Sequence, residues 1–173
     1  MGGADKGLVD FRGRPLVAHV IERLAPQVDR LLISANRNLD VYQSFGYSVL
    51  PDASTDRQGP LAGLQAGLHA CPTDWLLCCP CDCPFLPRDL CSRLKTSIGT
   101  NSNMAIATTP TGMHPTFMLC RRDVLPALET ALACGRLKLR DWCYSQSATE
   151  VMFVDENAFC NFNTADDLLA GSR

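Results

Sequence analysis

The chain has 173 residues, of which 46% are hydrophobic, and a formal net charge of −2. This length fits one ordinary domain with a substantial core, and the balanced charge excludes the clustered basic surface that nucleic-acid binding requires. No apolar run reaches the roughly 20 residues of a membrane span, and the first residues lack the apolar core of a signal peptide, so neither a membrane nor a nucleic acid is expected as a partner.

Short apolar segments alternate with helical patterns from residue 15 onwards. The predicted elements, in chain order, are a helix over 15–24, strands over 31–34 and 47–50, a helix over 60–70, a strand over 75–79, a helix over 88–94, strands over 104–108 and 116–120, a helix over 123–133, a strand over 150–154 and a helix over 164–169. This alternation predicts an α/β fold with a mainly parallel sheet and helices on both faces. Without repeats or linkers, residues 1–173 are expected to form one domain.

Local signals support several of these helices. Leu16, Val20 and Leu24 stand four residues apart, which places them on one helix face. Asp123 is the predicted N-cap of the helix over 123–133, and Thr164 that of the last helix. The helix over 15–24 therefore has an apolar face, and the other two helices have start signals.

Polar residues follow three of the predicted strands, and ligands of open α/β sheets bind beyond the carboxyl ends of strands. Asp82 follows the third strand, where a carboxylate could ligate Mg²⁺, although a cap or turn role fits equally well. Asp52 follows the second strand and Ser34 ends the first, with Asn36 shortly after. Taken singly, a turn acid and solvated loop residues remain the simpler interpretations of these residues.

A glycine-rich segment precedes the helix over 60–70. It consists of Gly59, Pro60, Leu61, Ala62 and Gly63. Gly59 permits close backbone approach and Pro60 suits a first helical position, so the exposed N–H groups of this helix start favour an anion or a base edge. A tight loop without a ligand is the alternative.

Three further positions are candidates for contact with a substrate. Lys6 stands among glycines and could neutralise phosphate charge, although most such loops only lie at the surface. His114 opens a predicted strand and could contact substrate or form a turn. Asn161, before the last helix, could hold a carboxylate or a metal-bound water, or lie in a turn.

Ten cysteines are many for a chain of this length. Because they stand beside apolar runs, they are predicted to be free thiols in a reducing cytoplasm rather than a disulfide framework. Cys78 and Cys81 have the spacing of a zinc knuckle, but the chain contains no second C-x-x-C pair. Zinc binding is therefore the minor alternative to a structural role.

Taken together, these segments form a specific series. In chain order they are Gly2-Gly3-Ala4-Asp5-Lys6-Gly7, Gly13-Arg14-Pro15-Leu16, Ser34-Ala35-Asn36-Arg37, Gly59-Pro60-Leu61-Ala62-Gly63-Leu64, Pro80-Cys81-Asp82, His114-Pro115-Thr116 and Asn161-Phe162-Asn163-Thr164. The series resembles the molybdenum cofactor guanylyltransferases, which are nucleotidyltransferases of Rossmann-like fold, and the likeness runs from Met1 to about Leu169. It implies a three-layer sheet of the nucleotide-diphospho-sugar transferase type.

The resemblance also implies an activity and its partners. Members transfer GMP from GTP to molybdopterin with Mg²⁺ and release pyrophosphate. GTP and molybdopterin (or Mo-molybdopterin) are therefore the expected partners, together with molybdenum-insertion proteins and recipient molybdoenzymes. The cytoplasm is the expected location.

The resemblance further assigns individual roles. Lys6 matches a lysine that contacts the GTP phosphates, and Asp52 matches a GTP-binding aspartate. Asp82 matches the aspartate that binds nucleotide and Mg²⁺, so Asp82 and Lys6 are the expected catalytic residues. The Gly59 to Gly63 segment matches a loop near the base. Asn161 and Asn163 match an asparagine motif on the cofactor side.

The chain departs from the family pattern at two places. Ser34 stands where many members have an asparagine that contacts the nucleotide. Members also begin with an apolar strand and a Leu-Ala-Gly-Gly loop that wraps the phosphates. This chain starts just after that loop, so we expect the first strand and phosphate loop to be missing and their neighbours to have unpaired edges. A cytidylyltransferase or other nucleotidyltransferase, or a noncatalytic protein that binds the cofactor or a partner, are the alternatives.

Overall fold

The computed structural model describes residues 5–51, 59–100 and 102–162. Within these ranges the chain is a mixed α/β structure. No helix in the described ranges is long and apolar enough to cross a membrane.

Eight strands and six α-helices make up the described residues. In chain order they are β1 (Asp10–Phe11), β2 (Arg14–Pro15), α1 (Leu16–Leu24), β3 (Leu32–Ser34), α2 (Leu39–Gln43), β4 (Ser48–Leu50), α3 (Pro60–Ala70), β5 (Trp75–Cys78), α4 (Leu90–Ser97), β6 (Met104–Thr109), β7 (Gly112–Arg121), α5 (Leu125–Ala133), α6 (Leu139–Ser145) and β8 (Thr149–Met152). Short 3₁₀ turns connect several of them.

The main sheet has four strands in the order β5-β7-β6-β8. β7 is antiparallel to both β5 and β6, whereas β8 is parallel to β6, so three of the four strands point in one direction. Only Pro110 and Thr111 connect β6 to β7, and a connection this short can join only antiparallel neighbours. The strand directions therefore agree except for β7, although two of the three pairings in this sheet are antiparallel.

Helices cover both faces of this sheet, as expected. Successive side chains of a strand point to opposite faces. Accordingly, Met104 and Ile106 pack in one core with residues of α3, α5 and α6. Ala105 and Ala107 pack in a second core with residues of α1 and α4. The predicted three-layer α/β architecture is thus confirmed.

β3 and β4 form a separate parallel pair beside the main sheet. In the described part of the chain, β3 pairs only with β4 and β5 only with β7. A cavity of about 310 Å³ lies between β3 and β5, lined by Leu32 and Ser34 on one side and by Leu77 and Cys78 on the other.

Sequence patterns located most elements but missed some. The hairpin of β1 and β2, the short helix α2 and the helix α6 were not predicted, and β7 begins four residues before its predicted start at Thr116. The predicted N-cap at Asp123 is wrong: Asp123 lies in a 3₁₀ turn, Val124 takes the cap position, and no side chain caps α5. The helix predicted over 164–169, with its cap Thr164, lies outside the described residues.

Candidate functional site

Asp82 lies just beyond the carboxyl end of β5, where the sequence placed it. The residue is only 5% exposed. Its Oδ1 accepts a hydrogen bond from Asn161 Nδ2 at 2.9 Å and faces the Cys83 thiol at 3.7 Å. Among the described residues, no hydrogen bond or ion pair reaches Oδ2. One carboxylate oxygen is therefore fixed by the protein, and the other is left for a ligand.

Asn161 is brought to Asp82 although the two residues are 79 positions apart in sequence. The backbone N–H of Phe162 donates to the carbonyl oxygen of Asp82 at 2.9 Å, which ties the two segments together directly. The Phe162 ring packs against Phe11 at 5.1 Å and Phe85 at 5.6 Å between ring centroids. This aromatic cluster holds the asparagine segment against the strand end.

A second aromatic group lies around Phe159, two residues before Asn161 in the chain. Phe159 stacks on the His114 ring at 5.0 Å and meets the rings of Phe117 and Phe153 edge-on. His114 Nε2 shares a hydrogen bond with Thr109 Oγ1 at 3.0 Å. Burial lowers the pKa of His114, so the ring stays neutral near neutral pH. His114 thus supports the asparagine segment from β7.

The segment that contains Lys6 lies against the same strand end. Gly7 is buried so tightly that an added Cβ would lie 2.6 Å from the Tyr42 hydroxyl and 3.0 Å from Cys81 Sγ. Burial and the neighbouring Asp82 charge raise the pKa of Cys81 to about 11, and the Lys6 charge acts in the opposite direction. Because Gly7 lies against Cys81, the backbone of Lys6 is next to the segment that contains Asp82.

Asp5 holds this N-terminal turn in place and was not assigned a role from the sequence. Its Oδ1 accepts from the Tyr42 hydroxyl at 2.7 Å, and its Oδ2 accepts from Asn38 Nδ2 at 3.0 Å. Arg37 Nε lies 3.5 Å from the same Oδ2. Burial, followed by the hydrogen bond to Asp5, raises the pKa of Tyr42. Tyr42 lies in α2, and Arg37 and Asn38 lie in the loop before it. The sequence patterns did not predict α2, so these contacts were not anticipated.

A cavity brings several predicted segments together at this end of the sheet. Ser34 at the end of β3 lines it, as do Pro60 and Gly63 at the start of α3. Pro80, two residues before Asp82, and Thr116 of β7 also line it. The β6–β7 pairing shifts register between Ile106 and Ala107, and such irregularities often lie next to active sites. Segments distant in sequence therefore line one cavity, and Asp82 follows its lining residue Pro80 by two positions.

The glycine-rich segment can meet a ligand mainly through its backbone. Gly59 has a positive φ of 65° and immediately precedes α3, and Pro60 occupies an early helical position. Leu61 and Ala62 are 0% and 1% exposed, because their side chains enter the core. A ligand at this helix start would therefore meet N–H groups and the Gly63 backbone rather than these side chains.

The cysteines around Asp82 are free thiols, as predicted. Burial raises the pKa of Cys78 to about 12 and also raises the pKa of Cys79 and Cys83. In the described part of the chain, no three His, Cys, Asp or Glu side chains form a metal-binding group.

The residues present nevertheless fit a magnesium ion. Mg²⁺ is usually held by one or two carboxylates together with water and substrate phosphates, so it needs no protein cage. Asp82 offers Oδ2, which has no hydrogen-bond partner among the described residues, and Lys6 lies in the adjacent N-terminal segment. Asp52 and Asn163, the other predicted ligand-binding residues, lie outside the described residues.

Comparisons with known proteins agree with this geometry. Residues 1–149 match the MobA-like NTP transferase domain family. The chain is 45% identical to the molybdenum cofactor guanylyltransferase of Cupriavidus taiwanensis over 176 aligned positions, which cover 98% of this chain and 88% of that protein.

Two solved structures are similar in fold. The molybdopterin-guanine dinucleotide biosynthesis protein A of Archaeoglobus fulgidus aligns with a TM-score of 0.76 at 19% identity, covering 97% of this chain and 89% of that one. The 4-diphosphocytidyl-2C-methyl-D-erythritol synthase of Anaerococcus prevotii aligns with a TM-score of 0.78 at 12% identity, covering 96% and 92%. At such identities the likeness shows the shared fold alone.

Proposed function

Because the chain belongs to the molybdenum cofactor guanylyltransferases, within the MobA-like NTP transferases, we propose that it transfers GMP from GTP to molybdopterin. The product is the guanine dinucleotide form of the cofactor, and pyrophosphate is released. The observation that carries this proposal is the buried Asp82 at the strand end, fixed through one oxygen by Asn161 and open to a ligand through the other.

The chemistry needs no side-chain nucleophile. An oxygen of the terminal phosphate of molybdopterin forms a bond to the α-phosphorus of GTP, and the bond from that phosphorus to the bridging oxygen breaks. The electron pair leaves with pyrophosphate. The task of the protein is therefore to position two anionic substrates and to offset their charge.

Nucleotidyl transfer of this kind uses a divalent metal, and we assign Mg²⁺ as that metal with Asp82 as its protein ligand. When bound, the cation offsets charge between the anionic reactants. Asn161 keeps the Asp82 carboxylate in one orientation through the bond to Oδ1. Lys6, fixed by the turn that Asp5 anchors, stabilises the leaving pyrophosphate.

The remaining residues are proposed to select and hold the substrates. Ser34 and the backbone of the Gly59 to Gly63 segment line the nucleotide side, where their positions around one cavity support the assignment. Asp52 is proposed to bind the same nucleotide. Asn161 and Asn163 are proposed to face the molybdopterin side.

Guanine is the proposed base. The relative at 45% identity is a guanylyltransferase, whereas the cytidyl-type structure shares only 12% identity and supports the fold alone. The cytidylyltransferase alternative is therefore not favoured. The free thiols of all ten cysteines support a reducing compartment, for which we propose the cytoplasm. Molybdenum-insertion proteins and recipient molybdoenzymes are the proposed protein partners.

The proposal is tested by measuring pyrophosphate release from GTP, CTP and ATP with molybdopterin, in the presence and absence of Mg²⁺. We expect release that requires Mg²⁺ and molybdopterin and that is fastest with GTP. Faster release from CTP than from GTP would show that the enzyme selects cytosine rather than guanine. Absence of turnover together with absence of GTP binding would instead support the noncatalytic alternative.

A further inference from the structure

Tyr42 of α2 places its hydroxyl group against both chain neighbours of Lys6. The hydroxyl donates a hydrogen bond to Asp5 Oδ1 at 2.7 Å. On the other side of Lys6, a Cβ added to Gly7 would lie only 2.6 Å from the same hydroxyl oxygen, so residue 7 has no room for a side chain. One hydroxyl group therefore bonds to the residue before Lys6 and packs against the residue after it.

The Tyr42 side chain is held firmly by the core around it. The residue is 2% exposed, and it packs in one core with Val17 of α1 and Ile33 of β3. Close packing of this kind keeps a buried side chain in one conformation. Ile33 directly precedes Ser34, which lines the cavity between β3 and β5. The position of the hydroxyl is therefore set by the same elements that form the proposed nucleotide side of the site.

A second side chain beside α2 supports the Asp5 carboxylate. Asn38 occupies the N-cap position of α2, where an asparagine side chain normally accepts a hydrogen bond from the first turn of its helix. Within the described residues no such cap bond is present, and Asn38 Nδ2 donates instead to Asp5 Oδ2 at 3.0 Å. Each carboxylate oxygen of Asp5 is thus bonded to α2 or to its cap residue, which attaches the Lys6 segment to this helix.

We propose that Tyr42 is a positioning residue for Lys6 in nucleotidyl transfer. This inference rests on the proposed function, in which Lys6 stabilises the leaving pyrophosphate. Tyr42 acts through Asp5 and the backbone of Gly7, which together determine the position from which the Lys6 side chain extends. Because a displacement of about 1 Å in an active site can cost on the order of 100-fold in rate, loss of one hydroxyl can reduce turnover in a folded protein.

A purely structural role for the hydroxyl is the alternative, and a double-mutant cycle distinguishes the two roles. Y42F removes only the hydroxyl and keeps the buried ring. If Tyr42 acts through Lys6, Y42F should lower kcat roughly tenfold or more in the parent chain. In a K6A background it should have little further effect, because the group that it positions is absent. GTP labelled in its γ-phosphate makes the residual turnover of K6A measurable.

Two matched comparisons define which hydroxyl and which acceptor matter. Y47F also removes a tyrosine hydroxyl, from a half-buried residue that packs against the same core, and it should retain the parental kcat. D5N should retain more activity than D5A, because an amide oxygen can still accept the hydrogen bond from Tyr42. Thermal melting of each variant confirms that the fold is intact.

Amide hydrogen exchange measured by NMR gives a readout that does not depend on activity. The Leu8 N–H donates to Asp5 O at 3.1 Å, and the Val9 N–H donates to Lys6 O at 3.2 Å. Both bonds close the turn that contains Lys6. In Y42F these two amides should therefore exchange roughly threefold faster or more, whereas the amides of the main sheet should keep their parental rates.

Three results would overturn the inference. The first is a parental kcat in Y42F, and the second is an equal loss of kcat on adding Y42F to the parent and to K6A. The third is unchanged exchange at Leu8 and Val9 in Y42F. A parent chain that releases no pyrophosphate would instead contradict the proposed function, and the exchange rates would still decide whether Tyr42 fixes the Lys6 turn.

Discussion

β6 and β5 belong to one sheet but differ in how completely they are enclosed. All six residues of β6 are buried, whereas all four residues of β5 are only half-buried. β6 pairs on both edges, with β7 and β8, and β5 pairs on one edge with β7. Side chains are therefore packed most tightly around β6, which we call the enclosed side of the sheet. The candidate site lies at β5, the open side, next to the cavity between β3 and β5.

The largest effect is expected from the enclosed side. Ile106→Ala removes a side chain that is 0% exposed and should lower the free energy of unfolding by about 2–5 kcal/mol. Leu32→Ala, on half-buried β3, is the matched comparison and should cost about 1 kcal/mol. Urea denaturation measures both values. Equal losses at the two positions would contradict the contrast between the enclosed and open sides.

A substitution on the open side should reduce turnover without unfolding the protein. Asp82→Asn removes the charge that is proposed to hold the metal, so turnover should fall on the order of 10²- to 10³-fold. The thermal melting temperature should change little, because an amide can keep a partner at Asn161. Asp89→Asn, at an exposed position, is the control and should retain activity. Near-parental turnover in D82N would remove Asp82 from the mechanism.

Loss of the neighbouring amide should have a smaller effect. Asn161→Ala leaves Asp82 Oδ1 without its 2.9 Å bond, so the carboxylate loses its fixed orientation. Groups that orient a metal ligand are typically worth roughly 10- to 100-fold in activity or metal affinity. The expected signature is a fall in kcat together with a higher Mg²⁺ requirement. An unchanged Mg²⁺ dependence would show that Asn161 does not act through Asp82.

The smallest effect concerns pH. Burial lowers the folded-state pKa of His114 below its ordinary 6.5. The unfolded chain therefore takes up a proton near pH 6.5 while the folded chain does not, so stability falls as pH drops below that value and is unaffected above it. His114→Gln should reduce this loss between pH 7 and 5, measured as the free energy of unfolding. An identical pH profile in the variant would contradict a half-buried neutral ring at His114.

Much of the fold follows from local patterns, and the exceptions have physical causes. The start and end of α3 were predicted correctly, because Pro60 opens it and the leucine spacing continues to its end. β7 extends beyond its predicted apolar run, because the short turn at Pro110 and Thr111 pairs Gly112, Met113 and His114 with β6. α2 has only five residues, which is too short for a helical periodicity to show.

The residues of the candidate site were harder to predict from the sequence than the fold. Asp82 was found because it directly follows an apolar run, and its contact with Asn161 confirms that the two segments meet. Asp5 was not assigned a role, because its value lies in contacts with Tyr42 and Asn38, which depend on tertiary structure. Binding by Asp52 and Asn163 remains a prediction.

The central claim is that Asp82 holds a divalent cation against the phosphates of GTP. A crystal structure with GTP and Mn²⁺, recorded at a wavelength where manganese scatters anomalously, tests it most directly. We predict an anomalous peak within about 2.3 Å of the Asp82 carboxylate, next to the α-phosphate. Manganese and triphosphate bound elsewhere, with Asp82 contacting neither, would contradict the claim.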